Sequence, residues 1–161
     1  MRWHISHQAD WRACALANRH YSRKTIGAPQ FTPPGRKLVL ATPTYDALWV
    51  TSWPFPEFVN RIYPDAWLCS LFRNEGPCLS SLLIRDALAA TVWRFGEPPR
   101  EGMVTMVDTR KVRSSNPGCC FKKAGFRTVG RTKGGLVILQ VTACDMPEPE
   151  APLGAQLRLF A

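Results

Sequence analysis

The sequence predicts an α/β fold: one central mixed, twisted sheet with helices on both faces, followed by a flexible C-terminal tail. Three observations carry that prediction. Ala66–Phe72 is a short apolar run, Arg73–Cys78 a tight polar turn, and the next residues place Leu79, Leu82, Leu83, Ala87 and Ala90 at helical spacing. Apolar or alternating runs flank two turn signals, Pro43–Asp46 and Lys133–Gly135, as in β-hairpins. Strand-like and helix-like stretches alternate along the chain, which excludes an all-helical or all-strand domain.

Taken in order, Arg2–Ile5 reads as a short first strand. Ser6 is placed to cap a helix over about His7–Asn18, with Trp11, Cys14 and Ala15 on one face. Asn18–Arg23 sets two titratable aromatics, His20 and Tyr21, beside two arginines. Gly27–Gly35, with Pro29, Pro33 and Pro34, is a loop. Lys37–Thr42 and Ala47–Trp53 form the first hairpin. Pro54–Asp65 is an aromatic, Pro-rich connection. After the strand, turn and helix of Ala66–Ala90, Gly96–Gly102 ends the helix and Met103–Val107 is a further strand closing on Asp108. Ser115 or Asn116 caps a short helix through about Ala124, with Pro117 in its first turn and Gly125-Phe126 as its stop. Arg127–Thr132 and Leu136–Val141 pair across the second turn. Residues 1–144 read as one domain, and the Pro- and Glu-rich stretch from Asp145 as a linker.

Composition narrows the function classes. A chain of 161 residues with 45% hydrophobic and 20% charged residues is ordinary for a globular domain. Its net charge of +9, from 21 basic and 12 acidic residues, is not. Asp145, Glu148 and Glu150 outnumber Arg158 in the tail, so the body is more basic still. Such a body favours a polyanionic partner, nucleic acid or a phosphorylated cofactor. No stretch approaches the ~20 apolar residues of a membrane span. Met1–Trp11 lacks the apolar core of a signal peptide. The six cysteines include the adjacent Cys119-Cys120 but no Cys-x-x-Cys pair, so neither a metal site nor a disulfide framework is expected, and a reduced, cytoplasmic setting is.

The strand–turn–helix carries chemistry. A turn that opens a helix aims free backbone N–H groups and the helix dipole at one point, which suits phosphate. Gly76 lets a ligand approach the backbone, and Pro77 fits a first helical position. The element order, this turn (Arg73-x-x-Gly76-x-Cys78) and the later Asn116, Phe121 and Gly125-Phe126 together resemble the GNAT superfamily of coenzyme-A-dependent N-acyltransferases over about Arg2 to Val141. The resemblance implies acetyl-CoA or another acyl-CoA as cofactor, with Arg73, Asn74, Gly76 and Cys78 at its pyrophosphate and Asn116 and Phe121 on the following helix. Many of these enzymes carry a Tyr where Phe121 stands. It protonates the leaving thiolate, and Phe121 has no proton to give.

Asn18–Arg23 is similar to the His-Tyr segment of the Mom-like phage DNA-modification proteins, a divergent GNAT branch. That resemblance implies modification of the exocyclic N6 of adenine in DNA, protecting phage DNA from restriction, inside the host cytoplasm. It carries over His20, Tyr21 and, from a single helix position, Arg85. An adenine amine is a poor nucleophile, so its acylation needs a base or strong acceptor, oxyanion donors and access to the base. His20 is the candidate base. Tyr21 would donate a proton or stack on a flipped base. Arg85 would bind phosphate or position a carboxylate, and Asp108 would orient the amine. The alternative substrate is a protein, aminoacyl-tRNA or small amine. Arg23, Lys111, Arg113, Lys122, Lys123, Arg127, Arg131 and Lys133 offer phosphate contacts, to DNA or in part to coenzyme A. Trp49, Trp53, Phe55 and Phe58 would stack bases or simply pack the core. Finally, Gln156, Leu157, Leu159 and Phe160 resemble the bacterial sliding-clamp-binding peptide, Gln-Leu-x-Leu-Phe, which implies the clamp as a partner. The same side chains would alternatively dock on the body as a last strand.

Overall fold

The computed structural model describes residues 1–53, 63–112 and 114–155. The elements follow as β1 (His4–Ser6), α1 (Trp11–Asn18), β2 (Arg36–Ala41), β3 (Ala47–Trp53), β4 (Trp67–Asn74), α2 (Ser80–Phe95), β5 (Met103–Val107), α3 (Cys119–Lys123), β6 (Arg127–Arg131) and β7 (Val137–Val141). The strands form a seven-stranded mixed sheet in the order β1-β2-β3-β4-β5-β7-β6. Among these strands only β4 and β5 pair in parallel, joined through α2.

The period-two alternation of the strands assigns each side chain to a face. Val39, Leu48, Val50 and Leu71 pack on Ala13, Leu16 and Ala17 of α1. Their neighbours Leu38, Leu40, Trp49 and Trp67 pack with Leu83, Ile84, Ala87 and Leu88 of α2 and with Phe121 of α3. Helices therefore cover both faces, as the sequence predicts. Trp49 is fully buried in this second cluster, so of its two readings the structure supports core packing. Phe55 and Phe58 lie outside the described residues.

One interruption in the sheet matters for function. β4 and β5 pair only at Trp67–Met103, Leu68–Val104 and Cys69–Thr105. Beyond that point β4 stays bonded to β3 through Asn74, and β5 to β7 through Val107. The two parallel strands thus part at their C-terminal ends, the place where open α/β sheets take ligands.

Several local expectations are corrected. Asp10, not Ser6, caps the first helix. Its carboxylate accepts from the Arg12 amide at 3.0 Å, while Ser6 ends β1 and donates to Asp10. The buried face of α1 is Ala13, Leu16 and Ala17, and Trp11 is 77% exposed. α2 begins at Ser80, three residues after Pro77, and Leu79 and Leu82 stay exposed while Leu83, Ile84 and Ala87 turn inward. α3 begins after Gly118, whose backbone φ of 78° favours glycine, and not after Ser115 or Asn116. The stretch after Asp145 is not a free linker as far as Ala155. Glu150 donates its amide to Ala89, Leu153 donates to Trp3, and Leu153 bridges to His4 beside β1. That contact covers an otherwise open sheet edge.

Candidate active site

The gap between the parting strands holds a cavity of about 330 Å³, a size suited to a small ligand. β4 contributes Cys69–Asn74, β5 Thr105–Val107, and α3 Cys120 and Phe121. Ser80 closes it from the start of α2, and His20–Ser22 from the turn that follows α1. Among the described residues no carboxylate stands in this wall.

His20 and Tyr21 reach the cavity because α1 ends just before them. The His20 amide still bonds the Ala17 carbonyl at 3.0 Å, and the chain then turns away. Their rings stack with centroids 4.4 Å apart. Burial pushes the imidazole down to about 4, with the Arg73 guanidinium adding to the shift and a backbone hydrogen bond to Phe72 opposing it. The ring is therefore neutral at physiological pH. Its tautomer follows from a neighbour: the Ser22 amide donates to Nδ1 at 3.2 Å, so Nδ1 carries the lone pair and Nε2 the proton. Burial raises the Tyr21 phenol, and its oxygen accepts a long 3.4 Å contact from the Asp108 amide. Cys69 and Cys120 also line the cavity, and burial raises both thiols, which keeps them protonated and unreactive.

The predicted cofactor turn is held from within. Arg73 pairs with Glu75 and donates to the Arg19 carbonyl, while Arg19 grips the same carboxylate through Nε and a terminal nitrogen, each at 2.8 Å. The bonds from Arg19, with those from Arg73, hold Glu75 down to about 2. Two guanidiniums on one carboxylate leave a net positive site on the cavity rim. Asn74 donates to the Cys78 carbonyl and to Ser80 Oγ, and its own oxygen takes the Gly76 amide. Gly76 thus spends its N–H inside the turn. The space above it is filled by Asp46, which a Cβ at this position would meet at 2.5 Å. Close packing against a protein carboxylate, not room for a ligand, explains this glycine. Leu79 provides no side-chain cap, so the first amides of α2 keep their capacity for an anion.

The structure brings His20, Tyr21, Arg73, Asn74 and Phe121 to one cavity and leaves other predicted residues elsewhere. Gly76, Cys78 and Asn116 are not on its wall, and Asn116 accepts from Lys122 at 3.2 Å. Asp108 turns away onto Arg110, whose hydrogen bonds hold its carboxyl below the usual carboxylate range. Arg85 lines a different hollow of about 400 Å³ with Lys123 and Arg127. Arg23 is occupied with structure: it donates to Asn18, Gln30 and Ala28 and ties the loop after α1 into shape. Arg131 donates to the Gly135 carbonyl across its own hairpin. Lys111, Lys122, Lys123, Arg127 and Lys133 are exposed, and Arg113, Gln156, Leu157, Leu159 and Phe160 lie outside the described residues.

No family model, curated protein or solved structure matches this chain. The site's meaning therefore rests on its own geometry. Among the described residues no helix is long and apolar enough to cross a membrane, and no three metal-ligating side chains cluster. Sequence reasoning passes over Ser22 and Ser80, both on the cavity wall. A hydroxyl two residues after a histidine is the one available signal for Ser22.

Proposed function

We propose that this protein is a GNAT-type, acyl-CoA-dependent transferase that modifies the exocyclic amine of a DNA base, adenine by its Mom-like His-Tyr pair. The observation that carries the proposal is the cavity between the parted β4 and β5, with neutral His20 on its wall and a cationic rim. Past Cys69 the edge of β4 that faces β5 has no partner strand, so its backbone groups are open to an extended chain with amides of its own. The pantetheine arm of coenzyme A is such a chain. Arg73 and the uncapped start of α2 sit at one end of that edge, where a pyrophosphate would be held.

When bound, acyl-CoA supplies an activated carbonyl and a thiolate leaving group. The protein's own residues do the rest. His20 holds a lone pair on Nδ1 for the proton that the acceptor amine must lose. Tyr21 is the phenol on the cavity wall with Phe121, and a phenol is a stronger acid than the serine and threonine hydroxyls beside it, so it takes the proton-donating role that Phe121 lacks. Arg85, Lys123 and Arg127, gathered around one hollow and outside every ion pair of the described residues, suit phosphate contacts along a nucleic-acid strand. Recruitment by the sliding clamp through Gln156–Phe160 belongs to the same proposal. Purified protein incubated with labelled acetyl-CoA should transfer label to single-stranded DNA. Label moving to a peptide or small amine, with none on DNA, would support the alternative acceptor class.

A further inference from the structure

A second cavity, of about 460 Å³, is lined by Ser22–Thr25, by Ala28 and Gln30–Pro33 of the same loop, and by Ser70 and Leu71 of β4. Ser22, Ser70 and Leu71 line both the first cavity and this one. Its far wall is the loop after α1, the loop that Arg23 ties down, with Thr25, Gln30 and Thr32 facing in. The two cavities are thus neighbours, and Ser22 stands on the wall of each.

We propose that this second cavity is the acceptor site, that it takes an uncharged amine on a phosphate-bearing molecule such as a nucleotide, and that Ser22 passes the amine's proton to His20. The inference rests on the transferase reading above. Three observations support it. First, the charged groups lining the second cavity are Arg23 and Lys24, both positive, and no carboxylate lines either cavity among the described residues. An alkylammonium acceptor such as a lysine or polyamine would find repulsion there and nothing to neutralise it. An aromatic amine is uncharged, and its phosphate suits Lys24, which makes no ion pair among the described residues. Second, Thr25, Gln30 and Thr32 bring hydroxyl and amide groups that can donate and accept at a heterocycle's edge, and Ala28, Phe31 and Pro33 add an apolar surface for its face. Third, Ser22 Oγ lies 2.7 Å from Nδ1 of His20. Because the Ser22 amide can only donate to Nδ1, that nitrogen is an acceptor, and the hydroxyl must donate to it too. The serine oxygen then keeps lone pairs to accept a proton.

The step balances. The acceptor nitrogen bonds the thioester carbonyl carbon as that carbon's bond to sulfur breaks. The nitrogen's proton moves to Ser22 Oγ while the Ser22 proton moves to His20 Nδ1. The departing sulfur takes a proton from Tyr21, and the imidazolium returns a proton to the phenolate through solvent. Nitrogen becomes strongly acidic as it bonds the carbonyl, so a weakly basic imidazole is sufficient.

The test uses the full chain and deoxyadenosine monophosphate as probe, followed by fluorescence or NMR titration. Binding should weaken at least tenfold in Lys24→Glu, and spermidine should not compete. Unchanged affinity in Lys24→Glu, or stronger binding of spermidine than of the nucleotide, overturns the acceptor site. For the relay, Ser22→Ala should shift the His20 Nδ1 resonance and lower transfer at least a hundredfold with acyl-CoA affinity and melting temperature unchanged. Ser22→Thr should restore most of the rate. An unmoved Nδ1 resonance, or Ser22→Ala turnover within threefold of wild type, overturns the relay. Calorimetry with acetyl-CoA separates the two levels. Nucleotide binding at Lys24 without acyl-CoA binding would retire the transferase reading alone. Acyl-CoA binding with the nucleotide insensitive to Lys24 would retire the acceptor site alone.

Discussion

Tyr21 lies over His20 with ring planes 30° apart, and the pair faces the cavity where β4 and β5 separate. This packing and burial set the histidine's protonation, and pH exposes it. The folded imidazole is lowered from 6.5 to about 4, so folding favours the neutral ring. That contribution to stability is complete above pH 6.5 and is lost as pH falls from there through 4. Thermal melts of wild type should therefore drop more steeply between pH 6.5 and 4 than those of His20→Asn. Transfer activity should hold its rate well below the pH at which an ordinary histidine protonates. His20→Asn should lower turnover by roughly 10²–10⁴-fold with acyl-CoA binding kept.

Arg73 is shared between Glu75 and the cavity rim. Arg73→Ala should weaken acyl-CoA binding by about 1.5–3 kcal/mol, the range for hydrogen bonds to charged groups. Isothermal titration at two salt concentrations would check it, since removing a phosphate-binding cation also flattens the salt dependence.

Gly76 offers a clean separation of two explanations. Gly76→Ala should destabilise the fold by about 1–3 kcal/mol through contact with Asp46. Adding Asp46→Ala should recover much of that loss in a denaturation series. A double variant that is no more stable than Gly76→Ala would return the glycine to a ligand-facing role.

The Asp10 carboxylate is buried, yet hydrogen bonds from Tyr45 at 2.6 Å, the Arg12 amide and Ser6 hold it down to about 2 against that burial. It also caps α1, the helix that delivers His20. Asp10→Ala should cost about 1–2 kcal/mol. The wild-type advantage should be full above pH 4 and fade as pH falls through 2, because the folded carboxyl titrates below the unfolded one. Urea melts at pH 7 and pH 3 would show the difference shrinking.

Arg85, Lys123 and Arg127 share one hollow. If they meet phosphates, replacing all three by Gln should reduce the salt slope of DNA binding by about 0.7 to 0.9 for each phosphate no longer neutralised. An unchanged slope would place these side chains on a merely solvated face.

Strands β2, β3 and β4 are legible because apolar runs of this length have few other fates, and the stretches between them are marked by Pro and Asp. The helix starts are not. Ser6 and Asp10 are both good caps, and the choice is made by Tyr45, 35 residues away in sequence. Leu79 and Leu82 fit an apolar stripe, but the inward direction of α2 is fixed by the sheet beneath Leu83 and Ala87. His20 and Tyr21 stand out as titratable aromatics beside cations. Ser22 does not, because its role depends on a turn that brings Oγ back to the His20 ring and on its place in the walls of two cavities. Arg85 reads as a site residue because one position on α2 cannot tell whether it faces the cavity or the hollow beside Lys123. The linker reads as free because Pro and Glu carry no periodicity, while the bonds that dock it come from Ala89 and Trp3.

The central claim is that this protein modifies DNA bases. The most direct measurement is mass spectrometry of enzymatically digested DNA from cells expressing the full chain, beside cells expressing His20→Asn. A new nucleoside heavier than deoxyadenosine, present with wild type and lost with the variant, is the expected result. An unchanged nucleoside profile with folded wild-type protein in the cells would contradict the claim.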